Sequence, residues 1–380
     1  MKHTLGVAMV LLVFFGYAQA AEVPFVELKG HTGRVRTAAF SQDGTKIVTT
    51  SMSRPPQLLG GGAGAPDRGD TTVRIWDAET GKEMQKFEGG QAALSPDGKR
   101  IFVHGWDQST QAWTARMWDV ETGKELHQLD GSFPATFSPD GKRLFTSGWD
   151  VPSQTHVSRI WEVESGKELQ KLEGHTDGIN GRITSVVFFP DGKRIVTAGG
   201  DYTARIWDTE TGKELQKLGG HAFSVNAVAL SPDSKTIVTT GGEQAIRIWD
   251  ADSGQELQKL GDGSSAAFSP DGKKIVTAGW DRNPLIFALR TPRIRIWDAE
   301  SGEMLHRLDN VYLPVFSPDG AKIVTLGEDR IVRLWDVELG KELRQLAGHT
   351  DRVSSAVFSP DGKRVVTASD DGSVHIWILE

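Results

Sequence analysis

Four times along this 380-residue chain a histidine, a hydroxyl and a carboxylate recur in the same order: His31, Thr49 and Asp70; His175, Thr197 and Asp201; His221, Thr239 and Glu243; His349, Thr367 and Asp371. Met singly, any one set would suggest nucleophilic catalysis, with the histidine as base and the carboxylate orienting it. A hydrolase needs one such set, so fourfold recurrence marks these residues as parts of a repeated framework. A second group, His104, Asp107, Asp150 and His156, has donor types that suit a divalent transition metal. Its two aspartates keep register with the repeat, however, and the expectation is no metal. Arg68-Gly69-Asp70 spells an adhesion tripeptide, yet Asp70 falls on a repeat position six before Trp76. Gly60-Gly61-Gly62-Ala63-Gly64 lacks the Gly-Lys-Ser/Thr that would make it a phosphate cradle, and the chain has no His-Glu-x-x-His or Gly-x-Ser-x-Gly. The residues therefore point away from an enzyme and imply no cofactor.

The elements that position these side chains come from one phrase written eight times, closing on Trp76, Trp118, Trp161, Trp207, Trp249, Trp297, Trp335 and Trp377 at intervals of 38 to 48 residues. Each copy alternates short β-branched runs with Asp-Gly or Thr-Gly turns, as in Val365 to Thr367 after Asp361-Gly362. Four short strands per period indicate propeller blades. With Gly348-His349 before a blade and Trp335-Asp336 closing one, the phrase resembles the WD40 repeat family, and the resemblance covers nearly all of residues 24–380. It implies an all-β fold, a single eight-bladed WD40-type β-propeller occupying 21–380. It also implies that His31, Thr49, Asp70 and Trp76, and the sets ending in Trp207, Trp249 and Trp377, form hydrogen-bonded networks that satisfy the indole N–H groups. Glu243 departs from the usual aspartate. The last copy has no outer-strand phrase after Trp377, whereas Phe25 to Gly30 supply one before His31, so the N-terminal strand is expected to complete the eighth blade and remove an open edge.

Residues 1–20 read as an export signal, with Lys2, an apolar stretch from Leu5 to Phe15, and the small-x-small site Ala18-Gln19-Ala20. The apolar stretch is shorter than the roughly 20 residues that span a bilayer, so cleavage is favoured over retention as an anchor. A periplasmic or secreted protein that does not span the membrane is the expectation. The chain has no cysteine, so its stability must come from packing. A formal charge of -7 does not favour nucleic acid.

The copies differ on one rim only. The Ser-Pro-Asp-Gly turns and the turns after each Trp keep constant length, but the interval from the Thr position to the Trp is ten residues in blades 4, 5, 7 and 8, 15 in blades 2 and 3, 20 in blade 6 and 27 in blade 1. Four tryptophans outside the repeat, Trp106, Trp113, Trp149 and Trp280, all fall in this variable rim, three of them as Gly-Trp-Asp where regular copies have Gly-Gly-Asp. Blades 2, 3 and 6 also lack Gly-His. One reading has each Trp fill the space left by the missing His loop; the other makes them, with Arg282 and Phe287, anchors for a protein partner or cell-envelope component. The latter describes an exported non-catalytic scaffold. The alternative function is a carbohydrate-binding or carbohydrate-processing propeller, in which the tryptophans stack on sugars and Asp107, Asp150 or Asp281 acts as acid or base. Cleavage after Ala20 is checked by mass spectrometry of the protein from its native host: the expected N-terminus is Ala21, and intact Met1 in a cytoplasmic fraction would refute export.

Overall fold

The computed structural model describes residues 23–52, 70–107, 112–150, 153–175, 181–282 and 290–379. Residues 1–20, the glycine run 60–64, Phe287 and the side chain of Arg282 lie outside them. The described chain forms eight four-stranded antiparallel sheets. Blade 1 shows the plan: an inner strand Val35–Phe40, a second strand Lys46–Ser51, a third Thr72–Asp77 and an outer Glu83–Glu88. The second strand is buried on both faces, which is why its residues read as an unbroken Ile-Val-Thr run rather than an alternation. The outer strand is exposed along most of its length and carries Glu and Lys, charges that guard an unpaired edge.

The turns follow from single side chains. In the Ser-Pro-Asp-Gly turn of blade 2, Ser95 Oγ donates to Asp97 at 2.6 Å, and Gly98 takes a φ of 67° that a side chain would strain. After the repeat Trp, Asp208 accepts from the Thr211 N–H at 2.7 Å and hydroxyl at 2.8 Å, the contacts that hold its carboxyl below the usual range. The aspartate of Trp-Asp is thus a turn residue.

Each hydrophobic cluster lies between two blades rather than within one. Trp207 of blade 4 packs with Phe145, Ile160 and Leu172 of blade 3, and Trp377 of blade 8 with Leu326, Val332 and Leu346 of blade 7. The ring closes as the sequence predicts: Phe25–Leu28 pairs with Val374–Ile378, placing Phe25 opposite Trp377 and Leu28 opposite Val374, and Leu28 enters the cluster shared by blades 8 and 1.

All four expected networks are present. In blade 4 the Trp207 N–H donates to Thr197 Oγ1 at 2.8 Å, Thr197 Oγ1 lies 2.8 Å from His175 Nε2, and His175 Nδ1 lies 2.9 Å from Asp201. The corresponding His–Thr distance is 2.7 Å for His31, His221 and His349. Their acids Asp70, Glu243 and Asp371 lie at 3.3, 2.6 and 3.2 Å from Nδ1. A carboxylate on Nδ1–H leaves Nε2 to accept the threonine hydroxyl, whose oxygen accepts the indole N–H, so one chain of donors is satisfied in a single direction. Burial works against the Asp70 charge, but hydrogen bonds from His31, Thr72 and Arg74 outweigh it and hold the carboxyl far below its ordinary range.

The indole–threonine bond is more general than the histidine. Trp161, Trp297 and Trp335 donate to Thr146, Thr277 and Thr325 at 2.9, 2.9 and 2.8 Å without any histidine behind them. Blade 2 is the exception, because Val103 occupies the threonine position and the buried Trp118 N–H has no partner. A second device ties the third strand to the outer one: in blades 1 to 5 and 7 the arginine two before the Trp binds the outer-strand glutamate, as in Arg205–Glu214 at 2.6 Å and Arg159–Glu168 at 2.9 Å. In blades 1 to 4 and 7 the same arginine also binds the rim aspartate.

Blade 8 replaces that arginine with His375 and the glutamate with Phe25. The two rings stack at 4.1 Å, and His375 stacks in turn on His349 at 4.1 Å and 7°. Burial, then the neighbouring His349, pushes His375 down to about 4, and burial also lowers His349 and takes His104 to about 4.

Two predictions follow from these contacts. Val103→Thr should give the Trp118 N–H an acceptor and stabilise the protein by about 1 kcal/mol in urea unfolding; a loss of stability would show that the orphan is tolerated because a hydroxyl does not fit there. For His375 the folded pKa lies below the unfolded value, so the unfolded chain binds more protons and stability falls as the pH drops from about 6.5 to about 4. His375→Phe keeps the stack and should make that decline shallower by about 1 to 3 kcal/mol; an unchanged slope would contradict the assignment.

Candidate functional site

The described parts of the long intervals in blades 2, 3 and 6 are largely strand. The second strands Arg100–Asp107, Arg143–Asp150 and Lys274–Arg282 run eight, eight and nine residues against six in the regular blades, and their ladders continue through Asp107↔Ala112, Asp150↔Thr155 and Arg282↔Arg290. Aromatic and β-branched residues in these segments favour continued pairing. Three hairpins therefore rise above the variable rim, two of them on neighbouring blades.

Their surfaces carry the surplus tryptophans. In blade 2, Trp106 faces Trp113 across the ladder, edge to face with centroids 6.2 Å apart, and Trp113 stacks on His104 at 5.4 Å. In blade 3, Trp149 pairs with His156 at 5.3 Å, edge to face. His104 Nδ1 lies 3.4 Å from Ser132 Oγ of blade 3, which links the two hairpin bases. Trp113 is 58% and Trp149 50% exposed, while Trp106 is partly covered. Beside His156, a groove of about 610 Å³ runs between this hairpin and the connection into blade 4, walled by Val157, Lys171 and Gly174. Trp280 does not join them. It lies in blade 6, opposite Pro292, so the four tryptophans form a two-blade cluster and one outlier rather than a single patch.

The reading in which each Trp fills the space of a missing His loop is overturned by the glycines. In a regular blade a Cβ on Gly199 would meet His175 at 2.5 Å, so the glycine exists to admit the histidine. In blade 2 a Cβ on Gly105 would meet the Gly90 nitrogen at 2.5 Å; Gly148 and Gly279 would meet Ser132 and Gly263 backbone, each at 3.0 Å. Without the histidine the short connection itself moves against the glycine, and backbone closes the gap. Of the three indoles that follow these glycines, Trp149 is exposed and Trp106 and Trp280 are partly so.

Two of the aspartates after these tryptophans are occupied, and the Asp281 side chain lies outside the described residues. Asp107 is buried and pairs with Arg116 at 3.0 Å, and Asp150 pairs with Arg159 at 2.6 Å. Hydrogen bonds from Ser153 and Arg159 hold Asp150 at about 2, a permanent carboxylate rather than the proton-loaded acid that glycoside cleavage needs. The candidate metal set disperses as well: His104 and His156 face indoles, both aspartates face arginines, and among the described residues no three His, Asp or Glu groups converge on one point. The opposite rim has a larger groove of about 710 Å³ between blades 3 and 4, but its walls are turn residues such as Arg143 and Asp208 that recur around the ring.

Sequence reasoning placed Thr146, Thr277 and Thr325 at the repeat position but did not foresee that they accept the indole N–H without a histidine. It also missed the exposed Tyr202 and Phe223, which lie on the same rim in blades 4 and 5. Among the described residues no helix is long and apolar enough to cross a membrane. A family model described as WD domain, G-beta repeat, matches residues 22–77, 166–208, 212–250, 261–287, 306–336 and 340–377, more than half of the chain. No curated protein matches it.

Proposed function

The chain belongs to the WD40 family, whose propellers typically serve as protein-interaction scaffolds, and from that premise we propose that it is an exported, non-catalytic scaffold that binds another protein of the cell envelope through the raised hairpins of blades 2 and 3. The single observation that carries the reading is the exposure of Trp113 and Trp149 on neighbouring blades, at positions the framework does not use. Burying a tryptophan gains apolar area and costs little side-chain entropy, since each indole here already packs against a histidine, stacked for Trp113 and edge to face for Trp149. Tyr202 and Phe223 extend the aromatic surface toward blades 4 and 5.

A protein interface of standard size buries about 1,200 to 2,000 Å² in total, and truncating a central aromatic anchor costs about 2 kcal/mol or more, roughly thirtyfold in affinity. In cross-linked pull-downs from envelope extract, Trp113→Ala and Trp149→Ala should each lower recovery of the same partner by that order while leaving the melting temperature within a few degrees. Trp207→Ala, which removes a buried repeat indole, should instead unfold the protein. Equal destabilisation by all three substitutions, with unchanged capture by the folded fraction, would remove the support for the hairpins as a binding surface.

A further inference from the structure

Blade 6 breaks the arginine–glutamate rule that the other arginine-bearing blades obey. The glutamate of that pair always stands opposite the repeat Trp in the outer strand, as Glu256 does opposite Trp249, but opposite Trp297 stands Met304. Blade 5 gives the direct comparison. There Arg247 donates to the Gly220 carbonyl of the incoming connection and also binds Glu256. In blade 6 Arg295 keeps the first contact, to the Asp262 carbonyl at 2.9 Å, and has no carboxylate within ion-pair distance among the described residues. Arg295 is partly exposed, and Met304, in the place of the glutamate, is 46% exposed.

The surroundings are cationic. Arg307 is the cross-strand neighbour of Arg295, and Arg293, 2% exposed, lies one turn of the pleat away on the same face. The acids that face this cluster are Asp262, 3.4 Å from Arg293, and Asp309, 2.7 Å from Arg307, both of them outside reach of Arg295. Arg295 is the member of this group with no carboxylate within ion-pair distance among the described residues, within a chain whose formal charge is -7. Burial and mutual proximity push Arg293 and Arg295 below the ordinary arginine range, a sign that the positive charges are crowded.

We propose that Arg295, flanked by Arg293 and Arg307, is a carboxylate-binding site, and that an aspartate or glutamate from an acidic segment of a bound protein takes the place that Glu256 fills in blade 5. A planar guanidinium with free N–H groups matches a carboxylate in two parallel hydrogen bonds, and the half-buried setting strengthens them. Met304 supplies an apolar floor beside the charge. The site stands on blade 6 and does not depend on the aromatic hairpins of blades 2 and 3.

The test uses the full chain, a fluorescein-labelled hexaglutamate peptide with blocked termini, and inorganic phosphate as a separate probe. At low ionic strength the wild-type protein should bind the peptide, and Met304→Glu, which restores the repeat's own ion pair, should weaken binding by about tenfold or more because the guanidinium is then occupied. The same variant should melt at or above the wild-type temperature, an outcome misfolding would not produce. Trp149→Ala should bind the peptide as wild type does, whatever its effect on capture of the envelope partner. No peptide binding by the wild type, equal binding by Met304→Glu, or tighter binding of inorganic phosphate than of the peptide would overturn the carboxylate assignment.

Discussion

The structure depends on the repeat tryptophan, an apolar ring with one polar atom placed at the seam between two blades. Its ring is buried against the preceding blade, so each sheet has a face that only a neighbour can cover. Its N–H would be stranded there, at a cost comparable to a lost hydrogen bond, unless something in the same blade accepts it. Threonine on the second strand does so in seven blades. The ring of eight sheets follows from the first requirement and the conserved position of that hydroxyl from the second. Closure by Phe25–Leu28 is the same logic applied to the last seam, where a strand from the other end of the chain supplies both the ladder and a ring to stack on His375.

In blades 4, 5 and 8 the histidine is present and the second strand stays at six residues. In blades 2, 3 and 6 it is absent, the connection lies against a glycine, as Gly89-Gly90 does against Gly105, and the second strand is longer. In these three blades the missing histidine goes with extra strand, and three of the four surplus tryptophans stand on the two adjacent hairpins of blades 2 and 3. A parallel substitution acts in blade 6, where Met304 in place of glutamate leaves Arg295 with a backbone acceptor alone. In both cases the feature we propose for recognition is a departure from the repeat, held by the copies that did not depart.

Much of this was legible beforehand because the repeat supplies its own internal comparison. Eight tryptophans in register imply eight blades; Phe25 to Gly30 read as the missing outer strand; and the four His-Thr-acid sets occupy the hydrogen-bonded positions expected of them. The long hairpins were not legible, since the interval from Thr to Trp gives a length and not whether the residues pair. Nor was the fate of the missing His loops. That answer lay in the backbone approach of Gly131 to Gly148 and of Gly263 to Gly279, which no side-chain pattern records. The tryptophans looked equivalent because Gly-Trp-Asp recurs, yet ring position separates Trp280 from the others, and position around a ring is a property of the closed fold.

The central claim is that the variable rim meets a partner while the constant rim does not. Site-specific photo-cross-linking in the native host tests this most directly, with the reactive residue placed at position 149 on the blade 3 hairpin and, separately, at position 140 in the Ser-Pro-Asp-Gly turn of the same blade. The account predicts a discrete higher-mass adduct from position 149 and none from position 140. Adducts of equal yield from both positions, or from position 140 alone, would contradict it.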